Sequence, residues 1–392
     1  MTRRFGFLIA LVTCLMQINL GFAQDNMLSQ GAYWTEDEAN SIMKKWAGEW
    51  TTKSDWEARA EVIRKGIING MSLDQMPKRD TPFNVIIHST REMDGYIVEN
   101  IAIESFPGFF ITGNLYRPLS KEPFQKRPGI LSVHGHGPDL RFGESVQKRS
   151  AAFARMGAVV FAYDMIGYGD SKQVDHKIPI ALTIQTYNSQ RVIDYLSSRP
   201  DVNPDEIAVT GESGGGTQTI MITAIDPRIK VSVPVVMVSA YFFGGCTCES
   251  GMPVHKSANH QTNNVEIAAL AAPRPMLLVS DGGDWTKNTP RIEMPYLQKV
   301  YALYDGESNL DNTHLPSERH DYGPNKRYPV YNFFDHYLEM NAGKLPYKNG
   351  FDESFVTLLS REELEVFNEA HPIPANALKG DAAVTNYLKL KP

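Results

Sequence analysis

The stretch Gly211-Glu-Ser213-Gly-Gly215 constrains the fold of this 392-residue chain more than any other. An apolar segment that is predicted as a strand comes directly before it, and a predicted helix continues from it to Ile225. A serine in a sharp strand-to-helix turn needs glycines two positions away on both sides, because side chains there would collide with neighbouring backbone. This context favours an exposed nucleophile at Ser213 over a glycine-rich helix start with an incidental serine.

Strand and helix signals alternate along most of the chain. Segments rich in β-formers at residues 86–88, 96–104 and 109–116 come first, with a hairpin turn at Pro107-Gly108. From Gly129 onward short apolar strands alternate with amphipathic helices, which is typical of a parallel sheet that is covered on both faces. We therefore predict an α/β fold with a mainly parallel sheet, an antiparallel N-terminal hairpin and helices on both faces.

The same signals predict a catalytic domain over residues 81–345 with additions at both ends. Residues 24–80 contain two amphipathic helical stretches, near 35–49 and 56–68, and residues 346–392 form a C-terminal extension that packs on the domain. Residues 239–262 have no clear periodicity. An irregular segment of this length inside a compact domain is usually functional, so we predict a cap loop over the site.

The first residues resemble a targeting segment rather than part of a fold. Arg3 and Arg4 precede an apolar run, and small residues surround a cleavage site near Ala23. We predict a signal peptide over residues 1–23 and a secreted or periplasmic protein without an integral membrane span after cleavage. Lipid attachment at Cys14 is the alternative. The net charge of −6 and the pI near 6.0 argue against nucleic acid as a partner.

The partners of a serine nucleophile are expected in the order acid, then histidine. Asp284 lies beyond an apolar strand and past a Gly-Gly turn, where a carboxylate could reach an imidazole. Asp281, nearer the end of that strand, is the rival, and Glu249 in the irregular segment is a third option. We predict Asp284 as the acid.

Four histidines follow Asp284: His314, His320, His336 and His371. His336 falls inside a predicted helix, His371 lies in the tail, and His314 belongs to an asparagine-rich loop. His320 lies in a loop just before the terminal helix, which is the expected place for the general base. We predict His320 as the base.

The oxyanion hole is predicted to combine the N–H of Gly214 with one from His136 or Gly137 in the glycine-rich loop that begins at His134. A His-x-His metal pair is the alternative for this loop. No carboxylate or cysteine lies at ligand spacing in the sequence, so we predict neither a metal nor a cofactor. Cys246 and Cys248 are interpreted as two loop thiols or a strained local bridge.

Three aromatic residues are predicted to contact the substrate: Tyr241 and Phe242 in the irregular segment and Trp285 next to Asp284. Aromatic side chains in such a segment could equally form the core of a cap. Phe243 follows Tyr241 and Phe242, and for these aromatic residues both substrate contact and a place in the core of a cap stay open.

Longer stretches resemble a known group of proteins. From about Trp56 to Asn341 the chain resembles the acetyl xylan esterase-like branch of the α/β-hydrolase superfamily. The resemblance implies the α/β-hydrolase fold, a triad of Ser213, Asp284 and His320, and carbohydrate acetyl esters as substrates. It is carried by Asp94-Gly-Tyr-Ile-Val-Glu-Asn-Ile, Thr112-Gly-Asn-Leu-Tyr-Arg-Pro118, Gly245-Cys-Thr-Cys-Glu249, Thr262-Asn-Asn-Val-Glu-Ile-Ala-Ala-Leu-Ala-Ala-Pro-Arg-Pro275 and His320-Asp-Tyr-Gly.

The chain departs from neighbouring acetyl esterases at two places. Those proteins carry Arg-Gly-Gln in the oxyanion loop and Ser-Gln-Gly at the elbow, whereas this chain has His134-Gly-His-Gly and Ser213-Gly-Gly. We predict a serine carboxylic ester hydrolase that acts through an acyl-enzyme on a small or polysaccharide ester, with xylan-type acetyl esters expected first. A glucuronoyl methyl esterase or a serine peptidase of the same fold is the alternative.

Overall fold

The computed structural model describes residues 34–122 and 124–390 of the chain. The predicted signal peptide, its cleavage site at Ala23 and the alternative at Cys14 lie outside these residues. One sheet of nine strands has the order β1-β2-β3-β5-β4-β6-β7-β8-β9. The strands are Ile86–Glu92 (β1), Tyr96–Phe106 (β2), Phe109–Pro118 (β3), Arg127–Val133 (β4), Val159–Tyr163 (β5), Val202–Glu212 (β6), Ile229–Val235 (β7), Met276–Asp281 (β8) and Leu310–Leu315 (β9).

The pairing changes from antiparallel to parallel across the sheet. The strands β1, β2, β3 and β5 pair antiparallel in that order, whereas every pair from β5 through β4 to β9 is parallel. The carboxyl ends of parallel strands all lie at the same end of the sheet, and sheets of this kind form their ligand-binding and catalytic sites there. The mixed sheet with helices around it confirms the predicted fold class.

Helices cover both faces of the sheet. The helices are Glu36–Glu49 (α1), Lys53–Gly70 (α2), Glu144–Met156 (α3), Ala181–Ser198 (α4), Gly214–Ile225 (α5), Asn264–Ala269 (α6), Glu293–Ala302 (α7), Pro324–Leu338 (α8), Arg361–Leu364 (α9) and Asp381–Leu388 (α10). Helices α3 and α8 share one apolar core with the sheet, and α4 and α5 share the core on the other face. Alternate residues of the strands supply the two cores, as the period of a strand requires. None of the described helices is long and apolar enough to cross a bilayer.

The two N-terminal helices pack against the outer side of α7. Thr35 and Thr52 cap α1 and α2 with their side chains, each in a capping box that satisfies free N–H groups of the first turn. The rings of Trp50 and Trp56 lie 5.4 and 6.4 Å from that of Tyr296 in α7. This buried aromatic cluster extends the core on the α5 side of the sheet.

Two C-terminal features differ from the sequence-based expectation. Residues 309–315 were expected to be a loop, but they contain β9, which pairs in parallel with β8 from Leu310 to Leu315. An edge strand that is half exposed tolerates the polar residues that hide it from a hydrophobic pattern. Within the C-terminal extension the sequence predicts a helix near Arg361–Glu369, but α9 is only four residues long, and α10 is not predicted.

The irregular segment 239–262 contains no helix or regular strand, and Lys256 and Gln261 form an isolated bridge within it. Its start is fastened to α7, because the N–H of Ala240 donates to Oε1 of Glu293 at 2.9 Å. The other carboxyl oxygen, Oε2, is buried and has no hydrogen-bond partner among the described residues. Burial raises the pKa of Glu293 to about 7.

We predict that Glu293→Gln removes a pH-dependent loss of stability. The carboxyl has a reference pKa of 4.5 and titrates near 7 in the folded chain, so the folded state holds more protons between these values. Wild-type stability therefore falls as the pH rises through this window, and glutamine does not titrate. From about pH 4.5 to about pH 8, the unfolding free energy of the variant should therefore rise by about 2–4 kcal/mol relative to that of the wild type.

Urea denaturation at both pH values measures this difference. The control is Glu307→Gln, which changes an exposed carboxylate and should leave the pH dependence as in the wild type. A difference between Glu293→Gln and wild type that is the same at both pH values would contradict the account.

Candidate active site

Ser213 lies in a strained turn between β6 and α5. Its backbone has φ 55° and ψ −122°, a conformation that residues with a side chain rarely adopt. The flanking glycines are required, because a Cβ on either Gly211 or Gly215 would lie 2.6 Å from the carbonyl oxygen of Val133 in β4. The serine is half-buried and stands at the N-terminus of α5. The turn therefore has the form of the predicted nucleophile elbow.

His320 and Asp284 form a directed pair. Nδ1 of His320 lies 2.5 Å from Oδ2 of Asp284, and the other carboxylate oxygen accepts from the N–H and the hydroxyl of Thr286, both at 2.6 Å. The acid side chain is 3% exposed, whereas that of the histidine is 33% exposed. A fixed carboxylate at Nδ1 orients the imidazole and leaves Nε2 available for proton transfer.

The rival acids have other partners. Asp281 is fully buried at the end of β8, where one oxygen accepts from the N–H of Gly283 and the other lies 3.1 Å from Nζ of the buried Lys326. Glu249 is buried in the irregular segment and accepts from the hydroxyl of Thr217 at 3.4 Å. Both contacts are structural, which favours Asp284 as the acid.

The other downstream histidines lie elsewhere. Nδ1 of His314 on β9 is 2.9 Å from the hydroxyl of Ser280, His336 is exposed on α8, and His371 stacks on His88 at 3.6 Å between ring centroids. The pairing with Asp284 thus distinguishes His320 from the other three.

The loop after β4 lies against the elbow. A Cβ on Gly135 would be 3.1 Å from Cβ of Ser213, and one on Gly214 would be 2.7 Å from Cε1 of His136. His134 is buried, and its Nε2 accepts from the N–H of Met165 at 3.0 Å while its Nδ1–H donates to the carbonyl of Gly135 at 2.8 Å. Burial lowers the pKa of His134 to about 4, so the ring is neutral and holds this loop in place near neutral pH.

Two of the three predicted substrate-binding aromatics lie beside the base. The rings of Phe242 and Trp285 are 4.1 Å apart, and Trp285 is 4.6 Å from the ring of His320. Tyr241 instead packs with the core of the N-terminal helices, and its carbonyl accepts from the N–H of Trp34 at 2.9 Å. Contact with substrate stays a prediction for all three.

A second cluster, which the sequence did not predict, lies beside the loop after β4. His136, His176, Cys246 and Cys248 each offer one nitrogen or sulfur atom, and these atoms lie within 4.8 Å of one another. The absence of a cysteine at ligand spacing in the sequence did not reveal this cluster, because folding brings together residues that are 40 to 112 positions apart. The short Cys-x-Cys spacing was the available signal, but it does not identify its histidine partners.

No family model matches the chain. The solved structure of methylesterase BT1017 is 39% identical, covers 91% of this chain and 79% of its own, and superposes with a TM-score of 0.84. YtaP of Bacillus subtilis, a proposed hydrolase, is 27% identical over 61% of this chain and 86% of its own length.

A 4-O-methyl-glucuronoyl methylesterase of Schizophyllum commune is 27% identical over 47% of this chain and 45% of its own length. Solved acetyl xylan and glucuronoyl esterases share the fold. The resemblance to α/β-hydrolase esterases that the sequence indicated is therefore confirmed.

We predict that Asp284→Asn lowers kcat by about 10³- to 10⁴-fold, because the amide would favour the wrong imidazole tautomer. Its melting temperature should change little. The comparison variant is Asp281→Asn, which removes one of the three carboxylates around the buried ammonium group of Lys326. It should cost about 1–3 kcal/mol of stability, while the folded fraction keeps its kcat.

Steady-state kinetics and thermal melts on both variants measure this contrast. If Asp281→Asn lost kcat and Asp284→Asn kept it, the assignment of the acid would be reversed.

Proposed function

The chain belongs to the family of α/β-hydrolase esterases that includes methylesterase BT1017, and on this premise we propose that it hydrolyses methyl esters of carbohydrate carboxylates. The observation that carries the proposed hydrolysis is the strained turn at Ser213. This turn and the paired His320 and Asp284 all follow the carboxyl ends of parallel strands, so they lie at the same end of the sheet. The methyl ester preference is supported by the relatives, since one is named a methylesterase and another a glucuronoyl methylesterase.

In the proposed mechanism His320 removes the proton of the Ser213 hydroxyl while Oγ attacks the ester carbonyl. Backbone N–H groups of Gly214 and of His136 or Gly137 stabilise the negative charge on the carbonyl oxygen. His320 then gives its proton to the leaving methoxide, and methanol departs. Water, deprotonated by the same imidazole, hydrolyses the acyl-enzyme and releases the carboxylate. Each oxyanion donor contributes on the order of 10²–10³ in rate.

The contacts of the base support this assignment. Asp284 fixes Nδ1 of the imidazole, the ring of Trp285 covers one side of it, and Phe242 packs on Trp285. An aromatic wall excludes water from an ion pair that forms during catalysis and offers a flat surface on which a sugar ring can stack. We propose Phe242 and Trp285 as the substrate-facing aromatics.

Substrate class is tested with a panel of esters and the variant Ser213→Ala. The wild type should release methanol from methyl-esterified glucuronic or galacturonic acid polymers, and the variant should lose at least about 10³-fold of kcat. The matched control is Ser197→Ala, which removes another half-buried hydroxyl, in the last turn of α4, that has no hydrogen-bond partner among the described residues, and this variant should keep full activity.

The outcomes separate the alternatives. Release of acetate from acetylated xylan without methanol release from uronates would support the deacetylation expected from the sequence. Cleavage of peptidyl anilides but not of esters would support a peptidase. Equal turnover by wild type and Ser213→Ala would overturn the serine mechanism altogether.

We also propose that the protein acts outside the cytoplasm. The support is the basic and then apolar segment that ends in small residues near Ala23. N-terminal sequencing of the protein after expression in a bacterial host should find Gln24 as the first residue. A lipid-modified Cys14 at the N-terminus would support the lipoprotein alternative, and an intact Met1 on exported protein would overturn cleavage.

A further inference from the structure

Four side chains converge beside the oxyanion loop. Nε2 of His136 lies 3.0 Å from Nε2 of His176 and 3.3 Å from Sγ of Cys248. Cys246 completes the set, with all four donor atoms within 4.8 Å of one another. These residues come from three segments: the loop after β4, the loop after β5 and the irregular segment 239–262.

The spacing fits one small metal ion. In a tetrahedral zinc site with Zn–N near 2.0 Å and Zn–S near 2.3 Å, neighbouring donor atoms are roughly 3.3–3.8 Å apart. The distances from Nε2 of His136 to Nε2 of His176 and to Sγ of Cys248 lie at or just below this range. The other pairs of donor atoms are at most 4.8 Å apart, so small side-chain movements would bring them to the distances of a zinc site. Two thiolates with two imidazoles are a donor set that selects zinc over hard cations.

One of the histidines is already oriented as a ligand. Nδ1–H of His176 donates to the carbonyl of Ile166 at 2.6 Å, which places its proton on Nδ1 and directs the free lone pair of Nε2 at the cluster. A hydrogen bond from the second ring nitrogen to a backbone carbonyl is the usual support of a metal-binding histidine. Gly167 permits this approach, since a Cβ there would collide with the backbone of His176.

Neither pairwise hydrogen bonding nor a buried core accounts for the cluster as well as a metal does. Two neutral imidazoles share only one proton at a 3.0 Å contact, and a thiol is a weak partner for either of them. Cys248 is fully buried and Cys246 is partly buried, and both sulfur atoms lie next to the two imidazoles. One ion would satisfy all four donors at once.

We propose that His136, His176, Cys246 and Cys248 bind one zinc ion in a structural site. Four protein ligands leave no open coordination position, so the ion holds the fold and does not activate water. It fastens the irregular segment 239–262 to the two loops beside the elbow. The metal site itself does not depend on the proposed esterase activity.

The consequence for catalysis rests on the proposed function. The imidazole of His136 contacts the position of Gly214, and the same residue or Gly137 supplies the second oxyanion donor. Zinc on Nε2 of His136 would fix the direction of this backbone segment. Loss of the ion is therefore expected to lower kcat more than it changes KM.

The first experiment measures metal and thiols in the full chain, purified without chelator and dialysed against Zn²⁺ and then buffer. Mass spectrometry of the metal should find about one zinc per chain, and alkylation after denaturation in chelator should modify both Cys246 and Cys248. The double variant Cys246→Ser/Cys248→Ser should hold less than about a tenth of this zinc. His336→Gln, which changes an exposed histidine on α8, should hold the wild-type amount.

The second measurement needs no variant, in case the double substitution prevents folding. Chelator should remove the metal from the wild type and lower its melting temperature, and Zn²⁺ should restore it. Co²⁺ in place of Zn²⁺ should give visible bands of tetrahedral intensity and a thiolate-to-cobalt charge-transfer band.

Three outcomes would overturn the site: free thiols without retained metal, a disulfide between Cys246 and Cys248, or cobalt spectra without the thiolate band. An active enzyme that binds no zinc would overturn the metal site and leave the proposed function standing. A zinc-loaded protein that hydrolyses no ester would overturn the proposed function and leave the metal site standing.

Discussion

The close approach of β4 to the elbow is the constraint on which the rest of the site depends. The carbonyl of Val133 leaves no room for a Cβ on the glycines either side of Ser213, and the same carbonyl accepts from the buried guanidinium of Arg149 at 3.0 Å. Arg149 also lies 3.0 Å from the carboxylate of Glu212. This arrangement packs the end of β4, the elbow and α3 together. The loop that begins at His134 is thereby placed beside Ser213.

The irregular segment 239–262 reaches the site from two sides. Through Phe242 it contacts Trp285, which lies against His320, and through Cys248 it contacts His136 in the loop after β4. The backbone hydrogen bonds within this segment are those of short turns and one bridge, so contacts with neighbouring elements also hold it in place. The hydrogen bond from Ala240 to α7 is one such contact, and the proposed zinc ion would be another.

Local patterns selected Ser213, Asp284 and His320 as the candidates for nucleophile, acid and base, because each lies at the end of a strand or before the start of a helix. Ser213 follows an apolar strand, Asp284 follows β8, and His320 precedes α8. The strand β9 was missed because an edge strand needs no apolar face. The contact of His136 with Cys248 was not predicted, because these residues are 112 positions apart in the sequence. Only the arrangement of the strands brings them together, and a local sequence pattern does not show that arrangement.

The most direct test of the account is covalent labelling of the nucleophile. A fluorophosphonate reacts only with a serine hydroxyl that a base activates and an oxyanion hole supports. Peptide mapping after labelling should find one adduct per chain, on Ser213, and His320→Gln should abolish it without unfolding the protein. The absence of an adduct on the folded wild type, or an adduct on a different serine, would contradict the assignment of the elbow as the catalytic centre.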